Sequence, residues 1–211
     1  MSTSIFTPTK NTWLHKAVPL ELHGSDVDAY FGTLAAGADV YRMLVQWDIS
    51  DLAGQVVMGA TLRFNILSHG DNNVNNYYIQ RMTRDYTESE ACWTNYAAAA
   101  AWTTPGGDFT VTGQVTVAIP HVDGILTIPS AAALVALVQD AITSRSGIFS
   151  IVLMRVSEAV SDVWLQVASN DETNDQPILE VTTLGNPKTR PYNLRPCIYR
   201  PRRMRSSGYS Q

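Results

Sequence analysis

Apolar residues recur along this chain at two periods, and the shorter one dominates. In Ala60-Thr61-Leu62-Arg63-Phe64-Asn65-Ile66 they alternate with polar residues, which predicts a strand with Leu62, Phe64 and Ile66 facing a core and Thr61, Arg63 and Asn65 facing outward. Short runs rich in β-branched and aromatic residues lie at 27–31, 40–47, 56–67, 76–82, 109–119, 125–128, 148–154, 163–167 and 178–183, separated by clusters of Gly, Asn, Asp and Pro. Strands at this spacing predict an all-β fold, an antiparallel β-sandwich or barrel. The longer period appears once. Leu134, Leu137, Val138, Ala141 and Ile142 recur at the i, i+3, i+4 interval of a short amphipathic helix over 129–143, with Pro129 and Ser130 suited to its start and Ser146-Gly147 following its end. That helix is expected to lie over an edge or end of the sandwich.

Both ends depart from the strand pattern. Residues 1–24 read as an N-terminal arm, 25–184 as the body, and 185–211 as an extended tail of Pro, Arg, Tyr and Ser. With 211 residues, 45% of them hydrophobic, the chain can bury one substantial core. Its formal charge of −4 is unevenly divided: residues 188–211 hold seven Lys/Arg and no Asp/Glu, while residues 1–187 hold 8 Lys/Arg against 19 Asp/Glu, a net of −11. An acidic body carries a basic tail. Thr7, Pro8, Lys10, Asn11 and His15 interrupt every apolar run in the first twenty residues, and nowhere do eighteen apolar residues follow one another, so neither a secretory signal nor a membrane span is expected. Cys92 and Cys197 are too few and too far apart for a disulfide framework, which leaves a single bridge between them as the one pairing open.

Several motifs, in order, resemble a known family. Asp28-Ala29-Tyr30, the run Arg42-Met43-Leu44-Val45-Gln46-Trp47-Asp48-Ile49-Ser50 and then Ala60-Thr61-Leu62-Arg63-Phe64 look like the opening strands of DNRLRE-type domains. Arg81, Thr83 and Tyr86-Thr87-Glu88 followed by Cys92-Trp93-Thr94-Asn95 resemble that family's central segment. Ala168-Ser169-Asn170-Asp171-Glu172 followed by Pro177-Ile178-Leu179-Glu180-Val181 resembles its close. Trp47 stands where the family usually has Phe, Tyr86 where it has Trp, and Cys92 where it has Thr, all at positions expected to be core. The resemblance spans about residues 26–183. It implies a jelly-roll β-sandwich, similar to carbohydrate-binding modules and without intrinsic catalysis.

The stretch 81–108, RMTRDYTESEACWTNYAAAAAWTTPGGD, concentrates chemically able side chains. Glu88 and Glu90 would be an acid/base pair in a glycosidase, but at i and i+2 of a strand they point the same way into solvent with nothing to separate their pKa values. The expectation is instead that Tyr86, Trp93 and Trp102 anchor a long connection by burying their rings, so no catalytic residue is assigned. Sugar binding needs exposed rings flanked by hydrogen-bonding groups. Tyr77 and Tyr78 with Asn75 and Asn76 offer that combination, against the plain alternative of a loop entering a strand with one tyrosine facing the core. Asp171, Glu172, Asn174 and Asp175 gather oxygen ligands without the spacing of a calcium loop and read as a solvated turn. His15, His23, His69 and His121 are scattered without zinc-ligand spacing, so no metal and no cofactor is expected.

In the tail, Arg190, Arg195, Arg200, Arg202, Arg203 and Arg205 alternate with Pro and Tyr. Such a segment binds phosphates in other settings, but an acidic body repels a duplex, so nucleic acid is not the expected partner. A docking arm laid along an acidic groove of a partner or of a neighbouring copy fits the composition, as does simple disorder. Taken together, these features predict a non-enzymatic structural protein of a virion, a bacteriophage head-decoration or fibre-type component assembled in the host cytoplasm. Its expected partners are other capsid or tail proteins, copies of itself, and a surface glycan, with no membrane. The alternative is a carbohydrate-binding module of an extracellular or cell-surface bacterial protein.

Overall fold

Each of the nine strands and the helix expected from periodicity is present in the computed structural model, which describes residues 1–172 and 175–185. In chain order the strands are β1 (Ser2–Phe6), β2 (Lys10–His15), β3 (Asp28–Ala35), β4 (Asp39–Asp48), β5 (Val56–His69), β6 (Val74–Met82), β7 (Asn95–Ala97), β8 (Ala100–Ala101), β9 (Phe109–Pro120), β10 (Gly124–Ile128), β11 (Ile148–Arg155), β12 (Val163–Ala168) and β13 (Ile178–Leu184). The helix α1 (Ala132–Ser144) falls between β10 and β11. Apart from the β7–β8 pair, the strands form one curled antiparallel sheet ordered β1-β13-β5-β12-β3-β4-β11-β6-β9, giving an all-β sandwich. The sheet forks twice. β10 joins the edge of β5 opposite β13, and β2 joins the edge of β4 opposite β3 and β11.

The main core lies between the layers. Leu62, Phe64 and Ile66 of β5 meet Met43, Val45 and Trp47 of β4, Ile151 and Leu153 of β11, and Tyr77 and Ile79 of β6. β5 alternates buried and less buried positions as its sequence predicts. β4 and β11 are buried on both faces, which is why 40–47 and 148–154 read as nearly continuous apolar runs. Their outer side chains, Val40, Leu44 and Val152, form a second core with Met82, Tyr86, Trp93 and Trp102, supplied by the 81–108 connection. Trp47, Tyr86 and Cys92, the three departures from the resembled pattern, are all buried, as expected.

The helix packs Leu134, Leu137, Val138, Ala141 and Ile142 against β5, β9 and β11. Ser130 does not cap it. Its Oγ instead accepts the Ala60 N–H at 3.1 Å, fixing the helix start to β5. At the other end Gly147 adopts φ +83 and donates its N–H to the Ala141 carbonyl, and a Cβ there would run into the Ser50 backbone.

One boundary differs from expectation. Residues 1–24 contribute two strands of the sheet: β1 pairs with β13 and β2 with β4. Hydropathy misses β1 because it borders the sheet with mostly polar side chains, and misses β2 because Asn11 and Thr12 are polar yet buried. The tail arginines Arg190, Arg195, Arg200, Arg202, Arg203 and Arg205, together with Cys197 and Asn174, lie outside the described residues.

Candidate ligand groove

Residues 81–108 use their polar groups to hold the connection in place. Glu88 Oε1 accepts the Asn11 backbone N–H at 2.5 Å and the Asn170 amide at 3.1 Å, while Glu90 Oε2 accepts the Ala98 N–H at 2.9 Å. The two carboxylates thus serve different backbone segments. Trp102 Nε1 donates to the Cys92 carbonyl at 2.8 Å. Arg42 clamps the connection from below: it donates from Nε and Nη2 to both oxygens of Glu158 and from Nη1 to the Gly106 carbonyl. Its guanidinium lies 4.8 Å from the Trp93 ring centroid. Burial alone would raise the Asp108 carboxyl, but the Thr103 N–H, Arg84 and the Thr104 N–H outweigh it and hold the group below its ordinary value.

In the Asn/Tyr stretch expected as a sugar platform, the role of Tyr77 is corrected. Tyr77 is wholly buried, edge-on to Phe31, with its hydroxyl 2.8 Å from His121 Nε2, so neither face of its ring is available. Period-two alternation turns it inward, and Tyr78, half-buried, outward. Asn75 is engaged by Asp71 and Arg155, leaving Asn76 as the exposed member of the four.

A different set of rings does line an opening. Strand register places Trp164 of β12 opposite Gly32 of β3, Gly32 opposite Tyr41 of β4, and Tyr41 opposite His15 of β2. Gly32 leaves this rung without a side chain between two rings. Its φ of +127 and the nearness of the Val163 carbonyl admit no Cβ there. Tyr30 fills the gap from two residues away, its ring 5.7 Å from Tyr41 and 6.1 Å from Trp164. Trp13 completes the floor, 4.9 Å from Tyr30 and 5.6 Å from Tyr41. The result is a groove of about 540 Å³ with Trp13 and Tyr41 buried beneath and Tyr30 and Trp164 partly buried along it. That volume lies within the range of small-ligand sites.

Polar groups rim the rings. Asp28 Oδ2 accepts from Gln166 Nε2 and, at 3.5 Å, from the Tyr30 hydroxyl. Burial, then the Asp39 carboxylate, pushes the Tyr41 phenol up to about 12, and burial and then Asp28 raise Tyr30. Both hydroxyls therefore keep their protons at neutral pH. The segment between β2 and β3 closes one side of the groove and brings Glu21 and His23 to it. It is tied down by Lys16 N–H to the Val40 carbonyl and by Thr94 N–H to the Pro19 carbonyl, and Gly24 passes against the Glu88 backbone so closely that a Cβ would collide with it.

The histidines, scattered in sequence, meet in two pairs in the fold. His15 and His23 have ring centroids 6.5 Å apart, and His69 and His121 form a second pair at 6.1 Å. Neither pair has a recognisable sequence spacing: His15 and His23 are joined by an irregular segment, and His69 and His121 come from the end of β5 and the residue after β9.

A second opening of about 440 Å³ lies between β9 and β10, lined by Val115, Val117, Ile125 and Leu126. It is mainly aliphatic and has no aromatic ring in its lining, although Thr116, Asp123 and Thr127 also border it. No family model matches the chain, and no curated protein matches it.

Proposed function

We propose that this chain is a non-catalytic adhesive protein of a virus particle, whose β-sandwich body holds a saccharide in the Tyr30–Trp164 groove and whose basic tail docks onto a partner in the particle. The observation that carries the binding half is the groove: two partly buried rings side by side, over two buried ones, with the Tyr30 hydroxyl and the Gln166 amide both directed at Asp28 and the Tyr41 phenol beside Asp39. Sugars present an apolar face to a ring and hydroxyls to such a rim, so stacking and hydrogen bonding are satisfied together. The resemblance to DNRLRE-type domains supports the same reading. The particle half rests on the charge division between a −11 body and a tail with seven Lys/Arg, which suits attachment of the tail to an acidic surface.

The two halves are tested separately. On a glycan array the wild-type protein is expected to bind a saccharide, and Trp164→Ala and Tyr30→Ala to lose at least tenfold of that affinity while retaining the wild-type circular dichroism. Binding that ignores both substitutions refutes the groove. For attachment, the full chain is expected to co-precipitate with capsid or tail proteins encoded by neighbouring genes, and a chain ending at residue 187 is not. Equal recovery of both would overturn the docking role of the tail.

A further inference from the structure

The geometry points to a binding site for a zinc-class divalent metal ion in the wall of the groove, formed by His15 Nδ1, Glu21 and His23 Nε2. It stands on the side-chain geometry alone, independently of whether a sugar occupies the groove. The three residues place their nearest ligand atoms within 4.8 Å of one another. Glu21 Oε2 lies 3.9 Å from His15 Nδ1 and 3.6 Å from His23 Nε2. Ligand atoms about 2.0–2.1 Å from a tetrahedral zinc are about 3.3 Å apart, so the cluster has to contract by well under an ångström along these two edges.

The tautomers are already set for ligation. The far nitrogen of each imidazole is engaged by its own carboxylate: His15 Nε2–H donates to Asp39 Oδ1 at 2.6 Å, and His23 Nδ1–H donates to Asp26 Oδ2 at 2.9 Å. Each ring then turns a lone pair toward Glu21. A carboxylate behind each metal-bound histidine fixes ring orientation and raises ligand basicity, and this pair supplies both. Asp26 is itself fixed by Trp13 Nε1–H at 3.2 Å, and the Trp13 ring stacks on His23 with centroids 3.5 Å apart.

A second observation concerns His23 alone. Its side chain is 7% exposed, and its Nε2 has no hydrogen-bond partner among the described residues, lying beyond hydrogen-bond reach of Glu21. A buried ring nitrogen aimed at an acidic oxygen and a second ring nitrogen is an acceptor awaiting a cation. Two imidazoles and one carboxylate suit zinc among the divalent metals, and Glu21, on the exposed segment, leaves the remaining coordination positions to water. Loading would fasten the β2–β3 segment, which supplies Glu21 and His23, to His15 of β2.

The test uses metal-stripped full-length protein without a polyhistidine tag, titrated with Zn²⁺ by calorimetry and with Co²⁺ followed by visible absorption. The expected result is one Zn²⁺ per chain at micromolar affinity or tighter, with Co²⁺ giving the intense bands of a four-coordinate site. Glu21→Gln, at an exposed position that does not endanger folding, and His15→Ala should each weaken Zn²⁺ binding at least tenfold, and Asp39→Asn by about 10–100-fold. His69→Gln, in the other histidine pair, should leave it unchanged. Failure of the wild type to bind one equivalent, or binding that survives Glu21→Gln and His15→Ala, overturns the assignment and leaves the cluster as a histidine–carboxylate ion-pair network.

Discussion

Replacing Trp93 with alanine tests whether the mid-chain aromatics hold the fold together. The indole is 7% exposed and sits in the second core with Tyr86, Trp102, Leu14 and Leu44. Truncation returns roughly 150 Å² of apolar surface to a void, which at about 25 cal/mol per Å² amounts to about 4 kcal/mol. Loss of the Arg42 guanidinium's contact with the ring, 4.8 Å from its centroid, adds about 0.5–1 kcal/mol. Relaxation is limited on one side, since Arg42 remains held by Glu158 and by the Gly106 carbonyl, but the 81–108 connection can settle inward and recover part of the loss. The expected cost is therefore about 3–5 kcal/mol, a large fraction of the roughly 5–15 kcal/mol that stabilises an ordinary domain. Equilibrium denaturation in urea, followed by far-ultraviolet circular dichroism because four other tryptophans remain, measures it directly. The denaturant slope should stay constant, so the change appears in the midpoint. A cost below about 1 kcal/mol would mean that Trp93 is not sealed into a core. The 81–108 segment would then be a loosely attached flap and its carboxylates open to chemistry.

Further outcomes follow from other sites. Tyr77→Phe removes the hydroxyl that faces His121 Nε2 and leaves that buried nitrogen unpaired, so denaturation should show a loss of about 1–3 kcal/mol. Burial, countered only in part by Asp71, lowers the His121 pKa; a group easier to protonate when unfolded contributes its full stability above about pH 6.5 and loses it as pH falls through the folded value. Thermal midpoints should therefore fall as the pH drops below about 6.5, with a shallower slope in His121→Gln, and an unchanged slope would contradict the buried neutral imidazole. Gly147→Ala combines a φ of +83 with a Cβ directed into the Ser50 backbone, so a loss of at least 1–2 kcal/mol is expected by denaturation, against the few tenths a solvent-facing turn glycine would show.

The strands were legible in the sequence because the buried faces follow simple periods. Alternation in 60–66 placed Leu62, Phe64 and Ile66 correctly, and the i, i+3, i+4 recurrence gave all five buried positions of α1. Two strands were not legible for the complementary reason. β1 lies at the sheet edge, where Ser2, Thr3 and Ser4 need only offer backbone hydrogen bonds to β13, and β2 buries Asn11 and Thr12, which hydropathy scores as surface. The histidine cluster escaped because its members reach one point through an irregular segment, and ligand spacing carries information only where backbone geometry is regular.

The aromatics show most clearly where sequence reasoning stops. Composition identifies 81–108 and the Tyr77-Tyr78 pair as the richest clusters of rings and amides, yet the former fills a second core and Tyr77 the main one. Rings available to a ligand come instead from β3 and β12, where Tyr30 and Trp164 sit among ordinary strand residues. What separates the two cases is the layer beyond the strand. The outer faces of β4 and β11 receive the 81–108 connection as a lid, whereas the rung through Trp164, Gly32 and Tyr41 has a glycine where a covering side chain would stand. Substituting Gly32 is thus a more searching test of the groove than removing a ring. A Cβ pressed against the Val163 carbonyl would spread β3 from β12 and disturb the spacing of Tyr30 and Trp164, so ligand affinity and stability should fall together, whereas Trp164→Ala should cost affinity with a smaller loss of stability, since its ring only partly packs against the core.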